Sequence, residues 1–206
     1  MENKSNSIFK DVLILCLITF IAGVALGYVN QLTQNTIAEQ KLEAKAETYK
    51  KLYSEAQHFQ YDDKLNDQVK LADQEIGSLN FGNVYIDEAV QAVNSSGDVI
   101  GYIVSTTTGD GYNGNIAVAV GISADGTVVG VEMLEINETA GLGSKADDND
   151  FKDQYAGKNV EAFSVSKDGS SADNEIEAVS GATITSTAVT NAVNASLYFK
   201  NNYIGK

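Results

Sequence analysis

The run Ser180-Gly181-Ala182-Thr183-Ile184-Thr185-Ser186 lies between a strand-like stretch and a helix-like one. Its small residues let a backbone approach a ligand closely. The first turn of a helix presents unpaired N–H groups and the positive end of the helix dipole, which together suit a phosphate. A threonine hydroxyl at that spot can contact a phosphate or be esterified by one. The same residues also make an ordinary turn with Ser and Thr as N-caps. Spacing alone does not separate the two readings.

Two further segments have chemical content. Gly109-Asp110-Gly111-Tyr112-Asn113-Gly114 matches G-x-G-x-x-G and follows a strand. A dinucleotide site needs a helix next, but Ile116 to Val120 reads as a strand by residue type. The segment is therefore read as a glycine-rich hairpin loop. Glu138-Thr139-Ala140-Gly141-Leu142-Gly143 follows the strongest strand and offers one carboxylate, one hydroxyl and one exposed leucine. Loops at strand ends often carry function, and a plain surface turn fits equally well. Lys145, just beyond, is placed either to neutralise an anionic ligand or to remain solvated. Asp147-Asp148-Asn149-Asp150 lacks the alternation and closing Glu of an EF-hand loop and reads as a solvated helix start.

These segments need a scaffold. Val84 to Val93, Val99 to Thr107, Ile116 to Ile122 and Thr127 to Ile136 alternate with period two. Ser96-Gly97-Asp98 and Ala124-Asp125-Gly126 separate two of the pairs as hairpin turns. An antiparallel sheet follows. Asp150 to Tyr155 predicts a short helix, and Phe163 to Val165 and Ile176 to Val179 predict short strands. Thr185 to about Asn202 predicts a closing helix whose Ala188, Ala192, Ala195 and Phe199 share one face. Residues 60–80, polar and acidic, read as irregular. Upstream, Val12 to Val29 is uncharged and meets the lower length for a membrane span. A retained anchor fits better than a cleaved leader, because the flank is weakly basic and no small-x-small cleavage site follows. Lys4 and Lys10 favour a cytoplasmic N-terminus. The expected layout is a cytoplasmic 1–11, a transmembrane 12–29, a helical stalk or outer helix over 30–59, and an extracytosolic domain over 60–206. The fold class is α+β: an antiparallel sheet with packed helices plus one N-terminal transmembrane helix.

Composition narrows the function. The net charge is −14, and residues 61–206 carry the whole acidic excess, with no Arg anywhere in the chain. Such a surface repels nucleic acid and anionic headgroups. One Cys and one His leave no thiolate cluster, haem or zinc site of usual composition. If this chain moves electrons, an organic cofactor must carry them.

The run around Thr183 resembles the flavin-attachment motif of the FMN-binding domain family, and most of all that of the G subunits of Rnf-type ferredoxin:NAD⁺ oxidoreductases. The C subunits of Na⁺-translocating NADH:quinone reductases are similar. Glu177 stands where the family has an Asp three residues before Ser180, Ala140 where it has a Pro, and Ile136 where many members have a His. The resemblance implies FMN held covalently, through a phosphoester on Thr183, with Thr185 as the nearby competitor. It further implies that Ser180, Gly181 and Ala182 flank the phosphate end, and that Tyr112, Glu138, Thr139, Gly141, Leu142, Gly143 and Lys145 lie around the flavin. No residue is expected to be catalytic alone, and no metal is expected. The implied role is a one-cofactor relay among the membrane subunits of an Rnf-type complex that translocates Na⁺ or H⁺, matured by a flavin transferase that uses FAD. A quinone-reductase subunit, a free-standing extracytosolic flavoprotein and an anchored ligand-binding or surface module are the alternatives.

Overall fold

A computed structural model describes residues 2–169 and 171–204, and the side chains of 9–28, 45–169 and 171–204. The chain divides into two compact units, Met1–Ala44 and Lys45–Lys206. Helix α1 spans Glu2–Leu52. Within the first unit it contains Phe9–Tyr28, 20 residues of mean hydropathy 2.2 with no part buried, long and apolar enough to cross a membrane. Of the expected stalk or outer helix over 30–59, the side chains of residues 30–44 lie outside those described.

The second unit is built on a five-stranded antiparallel sheet. In chain order it comprises β1 (His58–Gln60), β2 (Val84–Val93), β3 (Val99–Gly111), β4 (Gly114–Ser123) and β5 (Val128–Ile136), and the spatial order is the same. The period-two pattern forecast four of these strands. Along β4 the alternation sends Ile116, Val118, Val120 and Ile122 to one face, where they join the larger core. The opposite face carries Ala119 and Gly121, small enough for the end of α1 to lie close. A Cβ on Gly121 would come 3.3 Å from that of Leu52. Tyr49, Leu52, Tyr53 and Ala56 form a second core there with Val90, Ala92, Ile103 and Ala119.

Two expectations fail around α1. The helix stops at Leu52 instead of running to residue 59, and His58–Gln60 pairs with β2 as an edge strand. Residues 60–80 are not irregular: α2 spans Asp63–Ile76. The Asp62 side chain caps it by accepting the Leu65 N–H at 3.1 Å. Leu65, Val69, Ala72 and Ile76 recur at four- and three-residue spacing and are buried. The polar residues between those four masked the stripe, and only the sheet beneath reveals its use.

After β5 come a 3₁₀ turn (Gly143–Asp147), α3 (Asn149–Lys152), β6 (Ser164–Ser166) and β7 (Glu175–Glu177), the last two paired in parallel. Helix α4 spans Thr183–Tyr203 and packs on the sheet with Ala188, Ala192, Ala195 and Phe199 buried. It begins two residues before the expected Thr185, because the Ser186 N–H already bonds the Ala182 carbonyl at 3.0 Å.

Candidate cofactor site

Three chain-distant segments meet at one recess of about 510 Å³. The β3–β4 hairpin gives Tyr112, the loop after β5 gives Glu138, Thr139, Leu142 and Gly143, and the start of α4 gives Gly181, Ala182, Thr183, Ile184 and Thr185.

The start of α4 is held by one hydroxyl. Ser186 Oγ accepts the Val179 N–H at 3.0 Å and donates to the Ala182 carbonyl at 3.0 Å. The Ala182 N–H in turn reaches the Val179 carbonyl at 2.9 Å. Gly181 makes the turn at φ +77°, a left-handed conformation that favours glycine. The N–H groups of Thr183, Ile184 and Thr185 have no acceptor among the described residues. Thr183 is half-buried on the recess wall, whereas Thr185 is 1% exposed.

The loop is knitted to itself and to the hairpin. The Thr139 carbonyl accepts the N–H groups of Leu142 (3.1 Å) and Ser144 (3.2 Å), and the Gly141 N–H donates to Ser144 Oγ at 2.9 Å. Glu138 Oε1 accepts the Asn113 N–H at 3.2 Å, while Asn113 Nδ2 donates to the Asn137 carbonyl at 2.9 Å. These bonds fix the Tyr112 tip against the loop. Strand β3 runs on to Gly111, which pairs with Gly114, so the glycine-rich segment turns in only two residues, Tyr112 and Asn113. Gly143 is wedged in: a Cβ there would lie 2.7 Å from Glu138 Oε2 and 2.8 Å from Thr185 Oγ1.

Three of the residues named from the sequence do not line the recess. Ser180 and Gly141 are exposed beside it. Lys145 lines a second recess of about 280 Å³ with Glu177, Asp148 and Asp150. Sequence reasoning missed Ile184, 56% exposed on the recess wall. An isoleucine on the solvent side of a helix start, next to the proposed attachment residue, was the available signal. It also missed the role of Ser186, which needs the Val179 backbone in view. Among the described residues, the recess is lined by one carboxylate, no basic side chain and an apolar rim of Tyr112, Leu142 and Ile184, exposed by 70%, 46% and 56%.

Comparison with known proteins defines the class. Residues 111–198 match the family model described as the FMN-binding domain, a stretch that contains all three segments of the recess. Residues 1–52 match the RnfG N-terminal region. The chain is 36% identical over 197 residues to the G subunit of the Na(+)-translocating ferredoxin:NAD(+) oxidoreductase complex of Acetobacterium woodii, covering 92% of this chain and 90% of the relative. It is 30% identical to the proton-translocating counterpart of Clostridium ljungdahlii (93% and 91% covered) and 33% to the G subunit of the ion-translocating oxidoreductase complex of Shewanella baltica (96% and 92%). Among solved structures, NqrC of Shewanella oneidensis aligns with a TM-score of 0.46 at 22% identity, covering 55% of this chain and 59% of that one. This is an FMN-binding-domain protein with an N-terminal helix fit to span a membrane. It belongs to the family of G subunits of ion-translocating ferredoxin:NAD⁺ oxidoreductase complexes.

Proposed function

We propose that the chain is a membrane-anchored electron-transfer subunit of an Rnf-type complex, with FMN esterified to Thr183. The observation that carries this reading is the Thr183 hydroxyl, half-buried at the head of α4 beside three unpartnered N–H groups and facing the recess. Bound FMN supplies reversible electron chemistry at its isoalloxazine ring. The chain's own residues do the rest. The N–H groups of Thr183, Ile184 and Thr185, with the α4 dipole behind them, favour the phosphate where no basic side chain lines the recess. The small residues Gly181 and Ala182 keep that end open. Tyr112, Leu142 and Ile184 give the apolar surface that a planar ring prefers and exclude water from it. The recess volume lies within the range of small-molecule pockets, roughly 300–1,000 Å³.

In this reading the acidic domain lies outside the cytoplasm, and a covalent bond keeps the cofactor where no cytosolic pool replaces it. A flavin transferase using FAD installs it, and other membrane subunits deliver and remove electrons. The protein is not catalytic alone. The test is in-gel flavin fluorescence after denaturation, with the chain made alongside an active flavin transferase. Thr183→Val abolishes the signal and Thr185→Val keeps most of it. The reverse pattern moves the site to Thr185. Fluorescence in both variants removes Thr183 as the required attachment residue, and its absence from wild type as well as variants removes the covalent claim.

A further inference from the structure

The short segment 149–155 contacts β5, the 3₁₀ turn, β7 and α4, and the reading above gives it no role. Lys152, on α3, is buried with its side chain 8% exposed. Its Nζ donates to Glu132 Oε2 at 2.8 Å and to Asp147 Oδ1 at 3.0 Å. Glu132 lies in the middle of β5, the strand that leads into the loop lining the recess, and Asp147 ends the 3₁₀ turn that follows that loop. One ammonium thus ties the turn that follows the loop to the strand that precedes it. Two residues on, Gln154 makes a two-point contact with the backbone of Glu177: its Oε1 accepts that N–H at 2.7 Å and its Nε2 donates to that carbonyl at 3.2 Å. Glu177 closes β7 and leads directly to Ser180-Gly181-Ala182-Thr183. Next, the fully buried Tyr155 hydroxyl bonds Thr190 Oγ1 of α4 at 2.7 Å.

We propose that segment 149–155 is a brace that sets the two halves of the flavin recess relative to each other, with Lys152 as the positioning residue for the ring-side loop and Gln154 for the attachment strand. A buried cation between two carboxylates is costly to assemble, and breaking it leaves uncompensated charge, so it is an expensive way to hold a surface loop unless the position of that loop matters. Burial alone would lower the Lys152 pKa. The hydrogen bonds and charges of Glu132 and Asp147 outweigh that and raise it, so the amine stays charged throughout the physiological range. Removing the ammonium leaves Glu132 and Asp147 without their shared counter-charge and loosens the loop at its 3₁₀ end, while its own bonds and those to the hairpin remain.

The inference rests on the flavin reading for its purpose, whereas the hydrogen-exchange arm of its test does not. Hydrogen exchange is measured on the full chain in detergent, made without a flavin transferase, and flavin accessibility is measured separately on the flavinylated chain by iodide quenching. Lys152→Met speeds exchange over residues 137–148 by about tenfold or more, leaves β2 to β4 unchanged, and increases quenching of the attached flavin. Lys152→Arg, which keeps the charge, restores most of both. Gln154→Ala moves the fast exchange to residues 175–182 instead. Should Lys152→Met fail to fold, Asp147→Asn, which alters only the more exposed partner, gives the same local pattern to a smaller extent. Unchanged exchange over 137–148, or an equal rise through the whole sheet, overturns the brace. If the wild-type chain takes up no flavin while Lys152→Met still shows the local exchange pattern, the functional reading is overturned and the brace stands.

Discussion

At the scale of single residues, the site depends on a few close approaches. Gly143 is the tightest. Its missing Cβ leaves room for the Glu138 carboxylate on one side and the Thr185 hydroxyl on the other, so Gly143→Ala must push the loop away from α4. We expect it to cost about 1–3 kcal/mol in a denaturant titration, the usual range for overpacking, and to weaken flavin fluorescence as well. Ser186 is the second such residue. Its buried hydroxyl is the partner of the Val179 N–H, so Ser186→Ala leaves that donor unsatisfied and costs roughly 1–3 kcal/mol. The substitution is also expected to increase hydrogen exchange at Val179 to Ala182 more than in the middle of α4. Equal protection in both places would mean that another group holds the turn.

At the scale of elements, the end of α1 is fastened to the sheet by a polar cluster over the smaller core. Glu88 of β2 accepts hydrogen bonds from Lys45 Nζ at 2.8 Å and Tyr49 Oη at 2.6 Å on Oε1, and from Tyr61 Oη at 3.0 Å on Oε2. Tyr49 Oη also meets Ser105 Oγ at 2.7 Å. Burial alone would raise the Glu88 pKa, but the bonds from Lys45, Tyr49 and Tyr61 outweigh it and hold the carboxyl below its ordinary value of 4.5. A carboxyl with a depressed folded pKa adds stability that is present above the unfolded value and lost as pH falls through the folded one. The contribution of Glu88 is therefore expected to be lost as pH falls below 4.5. Glu88→Gln should lower stability by about 1–3 kcal/mol at pH 7 and flatten the acid limb of a urea-midpoint profile. Parallel acid limbs for wild type and variant would place the acid sensitivity elsewhere.

At the scale of the whole molecule, charge and hydropathy divide the chain sharply. The uncharged span follows Lys4 and Lys10, and the acidic excess lies entirely in residues 61–206. From Lys4 and Lys10 before the span we expect the C-terminal domain on the extracytosolic face, with the anchor uncleaved. Protease added to intact spheroplasts should digest the domain and leave a membrane-bound N-terminal fragment. Full protection, or a mature N-terminus near residue 28, would contradict this topology.

Residue periodicity by itself determined the four long strands, the closing helix and the apolar N-terminal span, because each rests on a local pattern that burial enforces at every repeat, and turn residues marked the three hairpins between the strands. Local spacing also singled out the segments of the recess, although their resemblance to a flavin-binding family, not spacing, gave them a common purpose. The tertiary structure decided what local pattern leaves open. Helix α2 has a sparse stripe that is recognisable only once the sheet beneath it exists, and the end of α1 belongs to a core because Ala119 and Gly121 leave room for it. Lys145 turns to a different recess, while Ile184 joins the one that counts. Lys152 and Ser186 act on partners 20 and seven residues away in the chain. Such contacts are set by the meeting of strands and helices in space, where one-dimensional spacing holds no information about which side chain faces which.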